Sequence, residues 1–265
     1  METRSRDLEG RVAIVTGGAQ GIGRATVAEL LARGCQVCAS DLQGEKLRAS
    51  VEDMDPDGES LITLEADATS TEQVVEVTAR AMERFGGIDI LVNNAGGSGH
   101  IGIDHIEDVT DEIFERVVDA NLKSAFLCIR AAVPIMKERR YGRIVNLSSI
   151  SAKGAFGSRG PSAARLPYAG AKAGIVGLTS QLAKDLGPWG ITVNAVMPGF
   201  ILTEPGARVA ERFGALSEEE KDRMVGSIPL GRAGRADEVA SVIGFLCSEG
   251  ASYVSGATIE VTGGV

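Results

Sequence analysis

The sequence predicts an α/β protein built on a doubly wound parallel sheet of about seven strands, with helices on both faces. Short aliphatic runs alternate along the chain with longer stretches of helical period. The runs are rich in β-branched residues and lack polar alternation, which is typical of parallel strands buried on both faces. A glycine-rich turn joins the first run to a helical pattern, as in a βα unit. Together these observations predict consecutive βα units with right-handed crossovers.

The strand and helix predictions follow from these patterns. We predict strands at 12–16, 36–40, 61–65, 88–92, 143–147, 192–197 and 258–261. Apolar residues three to five positions apart predict one long helix over 111–137. Pro167 suits a first helical position and predicts a helix over 168–186. We find no repeat or linker, so residues 1–265 are predicted to form one domain.

Composition excludes several classes of protein. Hydrophobic residues make up 44% and charged residues 24%, which is ordinary for a globular protein. The formal net charge of -9 argues against a nucleic-acid partner, which needs a basic surface. The start of the chain has no apolar region typical of a signal peptide, and no run approaches a membrane span. We therefore expect a cytoplasmic protein that does not bind a membrane.

The cysteines and histidines do not predict a metal site. Cys35 and Cys38 have the spacing of half a zinc motif, but in a strand-like run this spacing places them on opposite faces. No second pair completes a site, so we expect buried free thiols, and solvated side chains for His100 and His105.

The glycine turn indicates a dinucleotide site. Gly17, Gly21 and Gly23 follow the first strand, although Thr26 replaces the last glycine of the usual fingerprint. Glycines allow a pyrophosphate to approach the N-terminus of a helix, where free N–H groups favour anions. These features predict a Rossmann-type fold, and the alternative is a tight βα turn that binds nothing.

Asp41 ends the second strand, where this fold places an acid that hydrogen-bonds the adenosine ribose. A carboxylate there repels a 2′-phosphate. Leu42 and Gln20 supply no compensating cation, and Arg24 is expected to point elsewhere. The sequence therefore predicts NAD rather than NADP, with a helix N-cap as the alternative role of Asp41.

Tyr168 and Lys172 are four residues apart on a predicted helix and thus share one face. A cation beside a phenol lowers its pKa, which would make Tyr168 an acid or base near neutral pH. Ser149 follows the fifth strand at the carboxyl edge, where open α/β sheets bind ligands. The alternative is a surface Tyr–Lys pair.

These motifs together resemble the short-chain dehydrogenase/reductase family over nearly the whole chain. The residues that carry the resemblance are Thr16-Gly17-x3-Gly21-Ile22-Gly23, Asn93-Asn94-Ala95-Gly96, Asn121, Ser148-Ser149, Tyr168-x3-Lys172 and Pro198-Gly199-Phe200-Ile201-Leu202-Thr203.

The resemblance implies a role for each residue. Tyr168 would be the acid/base, Ser149 (rather than its neighbour Ser148) would orient the substrate oxygen, and Lys172 would hold the nicotinamide ribose. Asn121 would anchor a water that relays protons through Lys172. The implied cofactor-binding set is Gly17, Gly21, Ile22, Gly23, Asp41, Asp67, Ala68, Asn94, Ala95, Tyr168, Lys172, Pro198, Gly199, Ile201 and Thr203. Within this set Asp67 would bind the adenine amine, and Ile201 and Thr203 the carboxamide.

The chain departs from the family pattern in two places. The interval between Ser149 and Tyr168 is longer than usual, and Thr262 stands where an acid is common. Lys153, Arg159 and Arg165 lie in this interval without any acid. Because arginine binds anions through a planar fork, one hypothesis is a polar substrate with an anionic group. The alternative is a solvated loop.

The expected function is an NAD-dependent oxidoreductase that acts on a secondary alcohol or its ketone. The alternatives are a non-catalytic NAD-binding sensor and a nucleotide-sugar epimerase or dehydratase. We expect a substrate lid around 203–230, hereafter the lid segment. The 168–186 helix is apolar on most sides, which predicts burial against another subunit, and the resemblance implies a homotetramer.

Overall fold

The computed structural model describes residues 6–97, 105–154 and 165–265. The strands are β1 (Val12–Thr16), β2 (Gln36–Asp41), β3 (Leu61–Glu65), β4 (Ile90–Asn93), β5 (Gly142–Leu147), β6 (Ile191–Pro198), β7 (Ile201–Leu202), β8 (Gly234–Arg235) and β9 (Thr258–Val261). The helices are α1 (Gly21–Ala32), α2 (Gly44–Val51), α3 (Thr71–Phe85), α4 (Asp111–Val118), α5 (Ser124–Arg139), α6 (Arg165–Leu186), α7 (Arg208–Gly214), α8 (Glu218–Gly226) and α9 (Ala236–Cys247).

The main sheet has seven parallel strands in the order β3-β2-β1-β4-β5-β6-β9. The strand order reverses between β1 and β4. The connections on either side of this point leave in opposite directions, which opens a crevice at the carboxyl ends of the strands. The predicted Rossmann-type α/β fold is therefore confirmed.

Two hydrophobic cores lie on the two faces of the sheet. One contains side chains of α1, α2 and α9, and the other contains side chains of α3, α5 and the end of α6. Cys35 belongs to the first core and Cys38 to the second, as their spacing predicted. Fully buried aliphatic strands hold the two layers together, and in this way they fix the sheet edge that carries the site.

The predicted strands are present with small changes at their ends, but β7 and β8 were not predicted. Ile201 pairs with Gly234 and Leu202 with Arg235 in a parallel two-residue ladder. A Cβ at Gly234 would lie 2.6 Å from Cδ1 of Ile201, so a larger residue there would have to move the end of the Ile201 side chain. This ladder, hereafter the clasp, joins the two ends of the stretch that contains α7 and α8.

The helix predicted over 111–137 is interrupted. A π-helical turn at Asp119–Lys123 separates α4 from α5, and this wider turn buries the Asn121 side chain. Such turns occur frequently at functional sites. Helix α6 begins at Arg165, so Pro167 lies two residues inside it. Among the described residues, no helix is long and apolar enough to cross a membrane.

Candidate active site

A cavity of about 600 Å³ lies at the carboxyl edge of the sheet, beside the reversal in strand order. It has the volume of a typical small-molecule site. The predicted residues that line it are Gly17, Gly21, Ile22, Asp41, Asp67, Ala68, Asn94, Ala95, Ser149, Tyr168, Lys172, Pro198, Gly199, Ile201 and Thr203. Gly23 and Asn121 are the two predicted site residues that do not line it.

The glycine turn is shaped by close backbone contacts. Gly17 and Gly21 have φ of +69° and +59°, which is the left-handed region that favours glycine. A Cβ on Gly23 would lie 1.9 Å from the Gly17 carbonyl oxygen. Gly23 therefore acts beneath the cavity, where it lets α1 pack directly against the turn.

The N-terminus of α1 carries an anion. Gly21 N–H donates to Oε1 of Glu204 over 2.8 Å. The N-cap residue Gln20 makes no side-chain capping bond, so the Glu204 carboxylate supplies the charge that a helix N-terminus favours. This contact was not predicted, because it joins residues far apart in the chain.

Asp41 is fixed by two backbone groups. Its Oδ2 accepts from Ala19 N–H over 3.1 Å, and its Oδ1 accepts from Gln43 N–H over 3.0 Å. Helix α2 has Gln43 as its N-cap, so Asp41 is not the N-cap of that helix. Each carboxylate oxygen retains a lone pair for a further donor.

Of the cations near Asp41, Arg24 points elsewhere as expected, whereas Lys46 was not predicted. Arg24 Nε donates to the Ser50 carbonyl oxygen over 2.7 Å, so this cation points away from the cavity. Lys46 was missed: its Nζ donates to Oε1 of Gln20 over 2.7 Å. The sequence could not show this contact, because the rotation of α2 about its axis decides it.

Asp67 lies beyond the end of β3, and its Oδ1 accepts from the backbone N–H and hydroxyl of Thr69, over 2.8 and 2.7 Å. Asn94 links β4 to the glycine turn by donating from Nδ2 to the carbonyl oxygens of Thr16 and Gly17. The Thr16 hydroxyl in turn accepts from the N–H groups of Asn94 and Ala95. These bonds hold one wall of the cavity rigid.

Tyr168 and Ser149 are hydrogen-bonded partners in the cavity. Burial raises the pKa of Tyr168 above its ordinary value, while the Ser149 hydroxyl and the positive charge of Arg208 act to lower it. Ser148 instead donates its hydroxyl to the Lys172 carbonyl oxygen over 2.8 Å and is buried. Of the two serines, Ser149 is thus the one in contact with the phenol.

Lys172 lies beneath Tyr168, with Nζ 5.7 Å from the centre of the phenol ring. Nζ donates to the Leu147 carbonyl oxygen over 2.6 Å, and the residue is 4% exposed. Burial lowers the pKa of Lys172 from 10.5 to about 8. The expected lowering of the Tyr168 pKa by a neighbouring cation comes from Arg208, and it does not overcome burial.

Asn121 holds the backbone of Gly97. Its Oδ1 accepts from Gly97 N–H, and its Nδ2 donates to the Gly97 and Val117 carbonyl oxygens, at 2.8 to 3.0 Å. A Cβ on Gly96 would lie 2.4 Å from Oδ1 of Asn121. The side chain therefore fixes the glycine pair that follows β4.

Comparison with known proteins identifies the family. A family model described as "Enoyl-(Acyl carrier protein) reductase" matches residues 17–265.

The chain belongs to the short-chain dehydrogenase/reductase family.

Relatives match over nearly the whole chain. The 3-oxoacyl-[acyl-carrier-protein] reductase of Staphylococcus aureus is 38% identical over 96% of this chain and 97% of its own length. The enzyme of the same name from Pseudomonas aeruginosa is 38% identical over 97% of this chain and 98% of its own. The crystal structure of levodione reductase has a TM-score of 0.85 at 35% identity, and covers 96% of this chain and 97% of its own.

As a short-chain dehydrogenase/reductase, the chain is an oxidoreductase of a family that binds a nicotinamide cofactor, and the cavity fits such a group. The hydroxyl oxygen of Thr203 is buried and has no hydrogen-bond partner among the described residues. Buried polar atoms normally have partners, so this oxygen fits a ligand amide or phosphate. The Gly21 amide donates a hydrogen bond to the Glu204 carboxylate, so its position suits an anionic group such as a pyrophosphate.

Arg208 is a site residue that sequence analysis missed. It is the first residue of α7 and lines the cavity. Its Nη2 donates to the Gly96 carbonyl oxygen over 3.2 Å. Nothing in the pattern of the lid segment indicated which of its charges turns toward Tyr168.

The cations of the long loop differ from expectation. Lys153 forms an ion pair with Glu260 of β9 over 2.5 Å, and it does not line the cavity. Arg165 is exposed at the start of α6. Arg159 and His100 lie outside the described residues. Four free cysteines are buried, and the described part of the chain contains no cluster of His, Cys, Asp and Glu that could hold a metal ion.

Proposed function

We propose that the protein is an NAD-dependent oxidoreductase that transfers a hydride between a secondary alcohol, or its ketone, and the nicotinamide. The observation that carries the proposal is the Tyr168–Ser149 pair, which lies above buried Lys172 in the cavity of a short-chain dehydrogenase/reductase. A non-catalytic sensor would have no need of this constellation.

Each residue has a defined part in the reaction. In ketone reduction, Tyr168 donates its phenolic proton to the substrate oxygen while the carbonyl carbon accepts a hydride, which a bound nicotinamide supplies. In alcohol oxidation, the phenolate takes the hydroxyl proton. Ser149 holds the substrate oxygen by a hydrogen bond, which places it beside Tyr168.

Lys172 provides a buried positive charge below the phenol. With a pKa of about 8, it is mostly protonated at pH 7, and one proton is held by Leu147. The charge that lowers the Tyr168 pKa, and so favours the phenolate that forms during ketone reduction, comes from Arg208. Asn121 acts through the Gly97 backbone, and its relay of protons through a water stays a prediction.

The proposed cofactor preference rests on Asp41. Its carboxylate, held by Ala19 and Gln43, would accept from ribose hydroxyls and repel a 2′-phosphate. Lys46 is the neighbouring cation that could offset this repulsion. We expect wild-type kcat/KM to be higher with NAD than with NADP. The ratio should correspond to a transition-state free-energy difference of at least ~1–3 kcal/mol, the cost of an unpaired buried polar group.

Two variants separate these contributions. Asp41→Ala should narrow the preference for NAD, and Lys46→Met in that background should restore part of it. Equal or higher kcat/KM with NADP in the wild-type enzyme would refute NAD specificity and leave the oxidoreductase function standing.

The general acid/base assignment is tested by Tyr168→Phe. We expect turnover to fall by ~10²–10⁴, the usual contribution of a positioned acid or base, while cofactor binding survives. Tyr253 is fully exposed, so Tyr253→Phe is the matched control. Near-native turnover of Tyr168→Phe would remove this residue from the mechanism.

The substrate is tested by following NADH absorbance at 340 nm with a panel of ketones and alcohols. The names of the relatives suggest a 3-oxoacyl compound and levodione, and polyols, hydroxy acids and steroids extend the panel. Binding of NAD without turnover across the panel would favour the sensor. An epimerase or dehydratase would convert its substrate without net NADH formation.

The architecture after Thr203 favours a dehydrogenase over an extended epimerase. Helix α9 packs against α1, and β9 completes the sheet, so among the described residues this stretch places α7, α8 and the two-residue strand β8 outside the sheet core. We propose one domain whose lid segment covers the site, in a cytoplasmic protein with a small-molecule hydroxyl or carbonyl substrate.

We also propose a homotetramer. Ala173 and Gly177 are exposed on α6, and Phe114 and Phe126 are exposed on α4 and α5. These apolar surfaces are suited to packing across a two-fold axis. A light-scattering mass near that of one chain at micromolar concentration would refute the proposal.

A further inference from the structure

The Glu204 carboxylate occupies the N-terminus of α1. Its Oε1 accepts the Gly21 N–H over 2.8 Å, and this amide is one of the helix N–H groups that have no partner within the helix. A second contact holds the same two segments together. The methyl group of the adjoining Thr203 lies 3.0 Å from the position that a Cβ on Gly21 would occupy.

Two further bonds tie the same segment across the cleft. Nζ of Lys46 on α2 donates to the Gly206 carbonyl oxygen over 3.4 Å, and Arg208 donates to the Gly96 carbonyl oxygen beyond β4 over 3.2 Å. The segment 203–208 therefore touches both walls of the cavity. Among these contacts, the Glu204 carboxylate binds the N-terminus of α1, which is the helix end expected to bind the pyrophosphate of a dinucleotide.

A pyrophosphate and the Glu204 carboxylate cannot both use the Gly21 amide. A single N–H has one hydrogen to donate, and two anions at one helix terminus repel each other. The field of α1 is strongest within its first turn, so a pyrophosphate bound at this end of the helix would lie close to the Glu204 carboxylate. A pyrophosphate that uses the Gly21 amide therefore has to displace Glu204.

We propose that Glu204 is an internal anion that competes with the cofactor pyrophosphate for the N-terminus of α1, and so sets dinucleotide affinity and couples cofactor binding to release of segment 203–208. The proposal rests on nicotinamide-dinucleotide binding, but not on the choice between NAD and NADP, because both carry the pyrophosphate. Glu204 would thus lower the affinity for the dinucleotide although it lies in the dinucleotide site.

The test compares Glu204→Gln with Glu211→Gln by calorimetric titration with NAD, NADP, inorganic pyrophosphate and adenosine. Glutamine preserves size and an oxygen that can accept from Gly21, so the variant isolates the charge. Glu211 is exposed on α7, and its variant changes net charge equally. We expect Kd for the preferred dinucleotide to fall about five-fold in Glu204→Gln, the equivalent of ~1 kcal/mol at a helix terminus.

The other titrations show where the effect arises. Pyrophosphate should also bind more tightly to Glu204→Gln, whereas adenosine should bind all proteins equally. Without ligand, Glu204→Gln should melt below wild type because α1 loses its anion, and its melting temperature should rise more on adding dinucleotide.

An unchanged or higher Kd in Glu204→Gln would overturn the proposal, as would an equal gain in Glu211→Gln or a gain for adenosine. These results can be told apart from failure of the proposed function. A protein that binds dinucleotide more tightly after Glu204→Gln, yet turns over no alcohol or ketone, contradicts the oxidoreductase assignment alone.

Discussion

Replacing Lys172 with methionine should change how stability depends on pH. The ammonium is buried, its one described hydrogen-bond partner is the Leu147 carbonyl oxygen, and its pKa falls from 10.5 to about 8 on folding. Between these values the unfolded chain binds more protons than the folded one, so wild-type stability rises with pH. At about 1.4 kcal/mol for each pKa unit, the rise is about 3 kcal/mol.

The Lys172→Met variant lacks this titration. Near pH 7.5, removal of the buried charge gains about 3 kcal/mol, while the orphaned Leu147 carbonyl costs about 1–3 kcal/mol, so the two proteins should have similar stability. By pH 10.5 the wild type should be the more stable by about 1–3 kcal/mol.

The assay is urea denaturation of wild type, Lys172→Met and Lys184→Met between pH 7.5 and 10.5, at one protein concentration. Lys184 is exposed on the same helix, and its variant should track the wild type throughout. Subtracting the two unfolding free energies at each pH removes the titration of all other groups. A difference between wild type and Lys172→Met that stays flat, or that falls as pH rises, would refute the reasoning.

Three further predictions follow from the site and the core. Arg208→Met should raise the Tyr168 pKa, because it removes a charge that lowers it; the rising limb of the pH profile for alcohol oxidation should then move to higher pH, whereas Arg223→Met on α8 should leave it in place. Gly23→Ala should cost at least about 1–3 kcal/mol and weaken dinucleotide binding, since its Cβ meets a backbone carbonyl; Gly214→Ala, with open space around it, is the control in urea denaturation and calorimetry. The buried cysteines, whose pKa values burial raises, should react with a thiol reagent only after denaturation, and rapid labelling of the native protein would contradict their burial.

Local patterns were sufficient to predict the sheet. The strands of the central sheet are short and aliphatic, and the inner ones are buried on both faces. This pattern depends on neighbouring residues alone. The two-residue strands β7 and β8 carry no such pattern, because their pairing depends on a close approach between Ile201 and Gly234. The π turn at Asp119–Lys123 was missed because an apolar stripe of roughly helical spacing passes through it.

The residues of the candidate site were predictable where a motif has a fixed spacing, as for Tyr168 and Lys172. Contacts between distant segments were not predictable. Glu204 lies at Gly21, and Lys153 pairs with Glu260, and neither contact leaves a trace in the local sequence. The charge that acts on Tyr168 comes from Arg208 in the lid segment, where the sequence directed attention to the long loop before α6.

The clasp formed by β7 and β8 closes the stretch between them into a loop whose two ends lie side by side. Because Ile201 and Gly234 meet in a ladder beside the sheet, everything between them leaves and returns at one point of the scaffold. Doubling the length of such an enclosed stretch costs only about 0.6 kcal/mol in loop closure. We therefore expect insertions or deletions in the part of the stretch beyond Arg208 to leave the register of the strands that position Ser149 unchanged.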